Sequence, residues 1–261
     1  MLTRPQASLP APAKGPKEGE RISCAENVFH DFCARSGLGG TNMTQTSAKP
    51  LRKPEPAWPA VVAILGVGGL HLSLPEPLTF GPSWLLLVVV SVLMVPVVIA
   101  RLRGSFALNQ VLGYIVLGIA TAAMLWSLFL LVRSLPGHQL APSGLLRSAA
   151  ALWVANILVF ASWYWRLDAG GPHARNLRGN HTEGDFLFPQ MTLAPPTQKP
   201  VDPGWAPGFV DYLFLAFNTS TAFSPTDSPV LSRWAKGLMM VQSSISLTTL
   251  ALLAARAVNI L

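Results

Sequence analysis

The chain has 261 residues, of which 51% are apolar and only 12% are charged, against roughly 25% charged residues in an ordinary soluble domain. Residues 57–165 carry five charged side chains in 109 positions, which excludes a soluble fold and indicates an all-α, polytopic integral membrane protein with about five to six transmembrane or re-entrant helices. The net charge of +7 lies mostly in the first 56 residues and at the ends of apolar segments, so we attribute it to membrane topology and expect no nucleic-acid partner.

Residues 1–56 are predicted to be a disordered cytoplasmic tail, because Pro, Lys, Gly and Ser dominate and no apolar run reaches ten residues. No secretory signal opens the chain, and Met43 is an alternative candidate start of translation. Cys24 and Cys33 are separated by eight residues, a spacing that fits no zinc motif. We therefore expect free thiols and neither a metal nor a cofactor.

The next region, residues 57–165, is predicted to form four membrane helices. The apolar segments run over about 58–74, 84–100, 111–132 and 145–165. The fourth ends in Trp163, Tyr164 and Trp165, followed by Arg166, a pattern typical of the membrane interface. Asn156, inside the fourth segment, is expected to hydrogen-bond to neighbouring helices.

The distribution of Lys and Arg predicts the orientation. With the N-terminus in the cytoplasm, the inside flanks of the first four helices hold eight Lys or Arg residues and the outside flanks hold two, Arg133 and Arg147. The same orientation places residues 166–207, a polar and Pro-rich stretch interpreted as a loop with little regular structure, in the cytoplasm.

Residues 208–261 have the pattern of a helix, a break and a final transmembrane helix. The apolar stretch 208–223 has sixteen residues, fewer than the roughly 20 that span a bilayer, and 224–229 break the helix. Either 208–223 spans, giving six crossings with both termini in the cytoplasm, or it is re-entrant. Asp211 at its start is either a pore-mouth charge or an acid that favours the helix dipole. Gln242, Ser246 and Thr249 share one face of the last helix, where they either line a polar path or hydrogen-bond between helices.

The sequence FVDYLFLAFNTSTAFSPTDSP (209–229) and the long helix after it resemble the pore helix, filter and inner helix of potassium-type channels. They resemble more closely a bacterial family of predicted membrane proteins of unknown function. The channel filter has the form T-x-T-T-V-G-Y-G-D, whereas this chain has Ser224 and Thr226 in place of both glycines. Because glycine supplies the backbone angles of a carbonyl filter, the resemblance implies the architecture but not potassium selectivity.

The resemblance, together with these patterns, implies a channel-like protein of the bacterial inner membrane that conducts monovalent cations through a C-terminal hairpin and forms a homo-oligomer, a tetramer if channel-like. The expected constriction and polar path consist of hydroxyl, amide and carboxylate side chains: Thr219, Ser220, Thr221, Ser224, Thr226, Asp227, Gln242, Ser246 and Thr249. The alternative is a non-transporting membrane protein that acts as an assembly or interaction partner. No enzyme motif is present in the sequence, so we do not expect an enzyme.

Overall fold

The computed structural model of the protein describes residues 55–135, 141–178, 184–192, 205–221 and 228–258. These residues belong to one compact unit, 51–261. Within the described ranges the secondary structure is helical, apart from one isolated bridge between Phe186 and Val230. The prediction of an all-α protein is therefore confirmed.

Eight α-helices are present in the described part of the chain. They are α1 (Trp58–Leu72), α2 (Leu85–Leu102), α3 (Phe106–Ser134), α4 (Pro142–Leu167), α5 (Pro172–Arg178), α6 (Pro189–Thr192), α7 (Phe209–Thr221) and α8 (Arg233–Val258). Short 3-10 turns occupy Glu76–Leu78 and Asp168–Gly170. Four segments are long and apolar enough to cross a membrane: Leu85–Leu102, Phe106–Ser134, Ser143–Gly170 and Arg233–Ala255. The helix α1 is also apolar but has only 15 residues.

The fourth helix, α4, is the centre of the bundle. It contacts α1 and α3 on one side and α7 and α8 on the other, while α2 packs on α1 and α3. The apolar residues of α4 are correspondingly buried, with Val159 and Ala161 fully inaccessible. Tyr164 and Trp165, which the sequence pattern placed at the lipid interface, are also buried, because they face α8 and the start of α1.

The short helix α7 and the long helix α8 both start at the end of the bundle where α4 finishes. At that end, the Tyr212 hydroxyl of α7 contacts Asp168, and the Trp234 indole of α8 contacts Asp185, which itself hydrogen-bonds to Asp168. Further along, Ser220 of α7 and Gln242 of α8 both meet Asn156 of α4. The helices α7 and α8 are therefore parallel to each other and antiparallel to α4.

The stretch 166–207, interpreted from its sequence as an irregular loop, contains ordered structure in its described parts. It includes a 3-10 turn, α5 and α6, and the rings of Phe186 and Phe188 are buried against Tyr212 of α7. The prolines alone did not reveal this, because Pro172 and Pro189 occupy the first positions of α5 and α6, where a helix tolerates proline.

Candidate functional site

The site expected from the sequence lies where α4, α7 and α8 meet, and Gln242 is at its centre. The Gln242 side chain is fully buried. Its Nε2 donates to the carbonyl oxygen of Ala216 at 2.7 Å and to Oγ of Ser220 at 2.8 Å. Its Oε1 accepts a hydrogen bond from the Tyr164 hydroxyl. One amide of α8 thus joins both neighbouring helices, as expected where polar side chains hold helices together in lipid.

Ser246, one turn further along α8, extends this polar contact. Its hydroxyl donates to the carbonyl oxygen of Ser220 and accepts a hydrogen bond from the Trp153 indole nitrogen at 3.0 Å. That carbonyl belongs to the last turn of α7, where a helix has no intrahelical donor for its C=O groups. Ser246 therefore satisfies a helix end that lies inside the bundle.

Asn156 joins the same cluster from α4. Its Nδ2 contacts the Gln242 carbonyl oxygen at 3.3 Å and Oγ of Ser220 at 3.5 Å. Its Oδ1 is buried and has no hydrogen-bond partner within the described part of the chain. A buried amide oxygen in this state costs free energy, so the hydrogen-bonding capacity of the cluster is not fully satisfied at Asn156.

The remaining expected site residues differ in their placement. Thr219 and Thr249 are buried and bond to carbonyl oxygens of their own helices, whereas Thr221 is half-buried at the end of α7. Ser224, Thr226 and Asp227 lie outside the described residues. The structure thus brings Ser220, Gln242 and Ser246 into direct contact.

Asp211 lies at the start of α7. Its Oδ2 accepts a hydrogen bond from the backbone N–H of Gly208 at 2.7 Å. This contact is the local one made by an acid that stabilises the beginning of a helix, and it fits the second of the two roles considered for this residue.

A second cluster, which the sequence analysis missed, closes the end of the bundle where α4 finishes. Its core is an ion pair between Arg175 of α5 and Glu55, with Nη2 and Oε2 3.0 Å apart and both side chains buried. Oε1 of Glu55 accepts a hydrogen bond from the Trp165 indole at 2.5 Å. The other terminal nitrogen of Arg175 donates to the carbonyl oxygens of Trp165 and Asp168.

The backbone after α4 makes this cluster possible. Ala169, Gly170 and Gly171 all have positive φ angles, and a Cβ atom on Gly171 would lie 2.8 Å from the Arg166 carbonyl oxygen. Glycine is required there. The resulting turn reverses the chain and returns Arg175 to the end of α4.

Asp168 connects this second cluster to α7 and α8. Its Oδ2 accepts a hydrogen bond from the Tyr212 hydroxyl at 2.5 Å, and its Oδ1 accepts one from the backbone N–H of Asp185. The guanidinium of Arg175 lies 5.2 Å from the centre of the Tyr212 ring, an additional cation–π contact.

Neither cluster has the composition of a metal centre. Among the described residues, no three His, Cys, Asp or Glu side chains lie together. Arg175 pairs with the Glu55 carboxylate of the second cluster and donates to the backbone carbonyl oxygen of Asp168, and the first cluster consists of neutral amides, hydroxyls and an indole. The chemistry that both clusters supply is hydrogen bonding and charge pairing between helices.

Comparison of the chain with protein-family models, with curated proteins and with solved structures gives no match.

Proposed function

We propose that the protein is a channel-like, oligomeric membrane protein whose constriction for monovalent cations begins at the C-terminal end of α7. The observation that supports this is the arrangement of α7 and α8, which start at one end of the bundle and run parallel. With 13 residues at about 1.5 Å each, α7 is about 20 Å long, too short for a hydrocarbon core of about 30 Å. Its last turn, Thr219–Thr221, meets Asn156 near the middle of α4, so α7 ends inside the membrane.

A chain that ends a helix at membrane depth needs protein or water around its polar groups. On this proposal the constriction continues from α7 through Ser224, Thr226 and Asp227. The carboxylate of Asp227 attracts cations, as rings of acidic side chains do in cation channels. Ser220, Gln242 and Ser246 position the end of α7 rather than line the path, because they are buried between helices.

The same arrangement supports five crossings with α7 re-entrant. Four of them are the helices long enough to cross, α2, α3, α4 and α8. The fifth is α1, which has only 15 residues but runs antiparallel to α2 from the level of Arg101 to that of Leu87. The end of the bundle that holds Arg101, Arg103, Arg166 and Arg175 is then cytoplasmic by the positive-inside rule, together with the N-terminus. The hairpin consequently opens towards the cytoplasm of a bacterial cell, whereas the filters of potassium-type channels face outward.

Ion flux into liposomes tests the proposal. Purified wild-type protein is expected to pass monovalent cations, and Asp227→Asn is expected to reduce the flux while leaving insertion and yield unchanged. Glu76→Gln is the matched control, because Glu76 is an exposed carboxylate in the turn between α1 and α2, away from the hairpin. Absence of any cation flux in the wild type contradicts the proposal. Equal loss in both variants contradicts the role of Asp227.

Labelling of single cysteines tests the orientation. Ser134→Cys and Ser143→Cys, at opposite sides of the α3–α4 connection, are expected to react with an impermeant reagent added outside the cell, and Ser105→Cys is not. The reverse pattern would turn the hairpin outward and leave the flux prediction intact.

The exposed face of α8 supports assembly of several copies. Small and β-branched residues recur on it at alternating intervals of four and three positions, and all are exposed: Gly237, Val241, Ser244, Thr248, Ala251 and Ala255. Such a stripe lets transmembrane helices approach closely. In a chain whose Cys24 and Cys33 are replaced by Ser, Ser244→Cys is expected to form disulfide-linked dimers, because one cysteine per chain forms one disulfide, while Val92→Cys, on the exposed face of α2, is not. Equal cross-linking at both positions would contradict assembly through α8.

A second candidate is a non-transporting membrane protein that acts as an assembly partner. It is favoured by the burial of Gln242, Ser246 and Thr249, which are inaccessible within a single chain. On this alternative the hydroxyl and amide groups only join helices. Wild-type liposomes that are impermeable to cations, with cross-linking retained at Ser244→Cys, are the result that selects it.

A further inference from the structure

The bundle contains a cavity of about 50 Å³ between α1, α2, α3 and α4, near the end that holds Glu55. A cavity needs roughly 10–15 Å³ of such space to hold one water molecule. The cavity therefore has room for a group of several heavy atoms, such as a phosphate. Two guanidinium side chains, Arg101 and Arg166, line it together with Asn109, and no carboxylate does.

The two arginines retain donors for a ligand. Arg101 donates from Nη2 to the Glu55 carbonyl oxygen at 2.9 Å, and Arg166 donates from Nη1 to the Asn109 carbonyl oxygen at 3.1 Å. Each guanidinium has five N–H donors. Within the described residues neither forms an ion pair, since the Glu55 carboxylate is held by Arg175 and Trp165. Two cations that line one cavity without a counter-charge favour an anionic occupant.

The position of Arg166 is built into the neighbouring helix. A Cβ atom on Gly113 of α3 would lie 2.0 Å from Cζ and Nη1 of Arg166, so the guanidinium occupies the space that any other residue at position 113 would fill. The Asn109 side chain, one turn earlier on α3, is fixed by a hydrogen bond from Nδ2 to the Val97 carbonyl oxygen at 2.8 Å. The absence of a side chain at Gly113 therefore leaves space between the helices for the charged end of Arg166.

Apart from Ser162 and Trp165, the rest of the cavity wall is apolar. It includes Val61, Ile64, Met94 and Val98, and Val98 is 39% exposed on the outer surface of α2. An anionic head beside an apolar surface that continues to the lipid-facing side is the chemistry of a phospholipid rather than of a free ion. Basic pockets between transmembrane helices bind anionic lipid head groups in this way.

We propose that this cavity binds the phosphate group of an anionic phospholipid through Arg101 and Arg166, with an acyl chain along α1 and α2. This site does not depend on conduction through the hairpin, so its test is independent of the test of the proposed function.

Native mass spectrometry of the detergent-purified full chain, titrated with phosphatidylglycerol or phosphatidylcholine, tests this. Wild-type protein is expected to bind phosphatidylglycerol at least tenfold more tightly than phosphatidylcholine. Arg101→Gln and Arg166→Gln are each expected to weaken phosphatidylglycerol binding about tenfold, because each removes charged hydrogen bonds to the phosphate. Arg103→Gln is the matched control, since Arg103 is at the same end of α2 but exposed and outside the cavity lining. It is expected to change binding less than twofold.

Gly113→Ala provides a variant that keeps both charges and displaces the Arg166 guanidinium. It is expected to weaken phosphatidylglycerol binding as Arg166→Gln does, and it keeps the test available if that variant does not fold. Unchanged binding in Gly113→Ala and Arg101→Gln overturns the proposal, as does an equal loss in Arg103→Gln or equal affinity for phosphatidylcholine. Displacement of phosphatidylglycerol by inorganic phosphate would overturn the lipid assignment in favour of a soluble anion.

Discussion

The two sides of α4 are packed by different means. On the side of α1, α2 and α3, most of the buried contacts are apolar, with Ile64, Val90 and Val116 in one cluster, and Arg166 hydrogen-bonds to α3 only at the end of α4. On the side of α7 and α8, Gln242 and Ser220 form a hydrogen-bonded contact between three helices. Lipid is as apolar as these side chains, so apolar helices associate only where they fit closely, whereas a polar contact defines one register. A helix as short as α7 cannot be held by spanning the membrane, and it is held by polar contacts instead.

The largest effect is expected where the two sides are joined, at the ion pair between Glu55 and Arg175. Arg175→Met leaves the Glu55 carboxylate buried without its cation, and breaking a buried pair in this way costs about 3–5 kcal/mol. The free energy of unfolding, measured by titration with a denaturing detergent, should fall by that amount.

The double variant Glu55→Leu with Arg175→Met is the control for this prediction, because it removes both charges. It is expected to recover part of the lost stability. A single variant that unfolds like the wild type would mean that the pair does not join the two sides.

A smaller effect is expected at the centre of the polar side. Gln242→Leu removes the hydrogen bonds to Ala216 and Ser220 and leaves the Tyr164 hydroxyl without its acceptor. We expect a loss of about 2 kcal/mol in the free energy of unfolding, at the upper end of measured values for polar contacts between membrane helices. Met240→Leu, at an exposed position of the same helix outside the stripe proposed for assembly, is expected to change it by less than about 0.5 kcal/mol. Equal effects would show that Gln242 does not hold α7.

The sequence predicted the helices far better than it predicted their contacts. Hydropathy alone located the four long apolar helices, and spacing along α8 placed Gln242 and Ser246 on one face. Whether that face lines a path or contacts other helices depends on α4 and α7, which periodicity in one helix does not reveal. The sequence analysis began the third apolar segment at about residue 111, whereas α3 starts at Phe106. The first turns were missed because Asn109 and Gln110 are polar and interrupt the apolar pattern.

The second cluster, around Glu55 and Arg175, could not be predicted from the sequence for a different reason. Its ion pair joins residues 120 positions apart, one in a stretch with the composition of a tail and one in a stretch read as a loop. Each residue is ordinary in its local sequence. The one local signal was the Asp168–Gly171 turn, where adjacent glycines after a long helix indicate a chain reversal.

On the side of α4 that holds α1, α2 and α3, stability should depend on how closely the side chains fit rather than on hydrogen bonds. Two adjacent glycines of α1 test this. A Cβ atom on Gly68 would lie 3.0 Å from Cα of Leu87, so α2 must move, whereas a Cβ on Gly69 meets no atom within 4 Å. Gly68→Ala is expected to lower the free energy of unfolding by about 1 kcal/mol through overpacking. Gly69→Ala is expected to be neutral or stabilising by up to about 1 kcal/mol through helix propensity. Losses of equal size would contradict close packing at Gly68.

The smallest effect is expected to have opposite signs on the two sides of α4. Oγ of Ser127 is buried among apolar residues of α3 and has no hydrogen-bond partner in the described ranges. Replacing an unpaired buried hydroxyl by hydrogen removes a desolvation cost, so Ser127→Ala should raise the free energy of unfolding by up to about 1 kcal/mol. Ser220→Ala makes the same chemical change where the hydroxyl accepts hydrogen bonds from Gln242 and Asn156, and it should lower the free energy by about 1 kcal/mol. Measured side by side, changes of the same sign would show that the two sides of α4 are not held by different means.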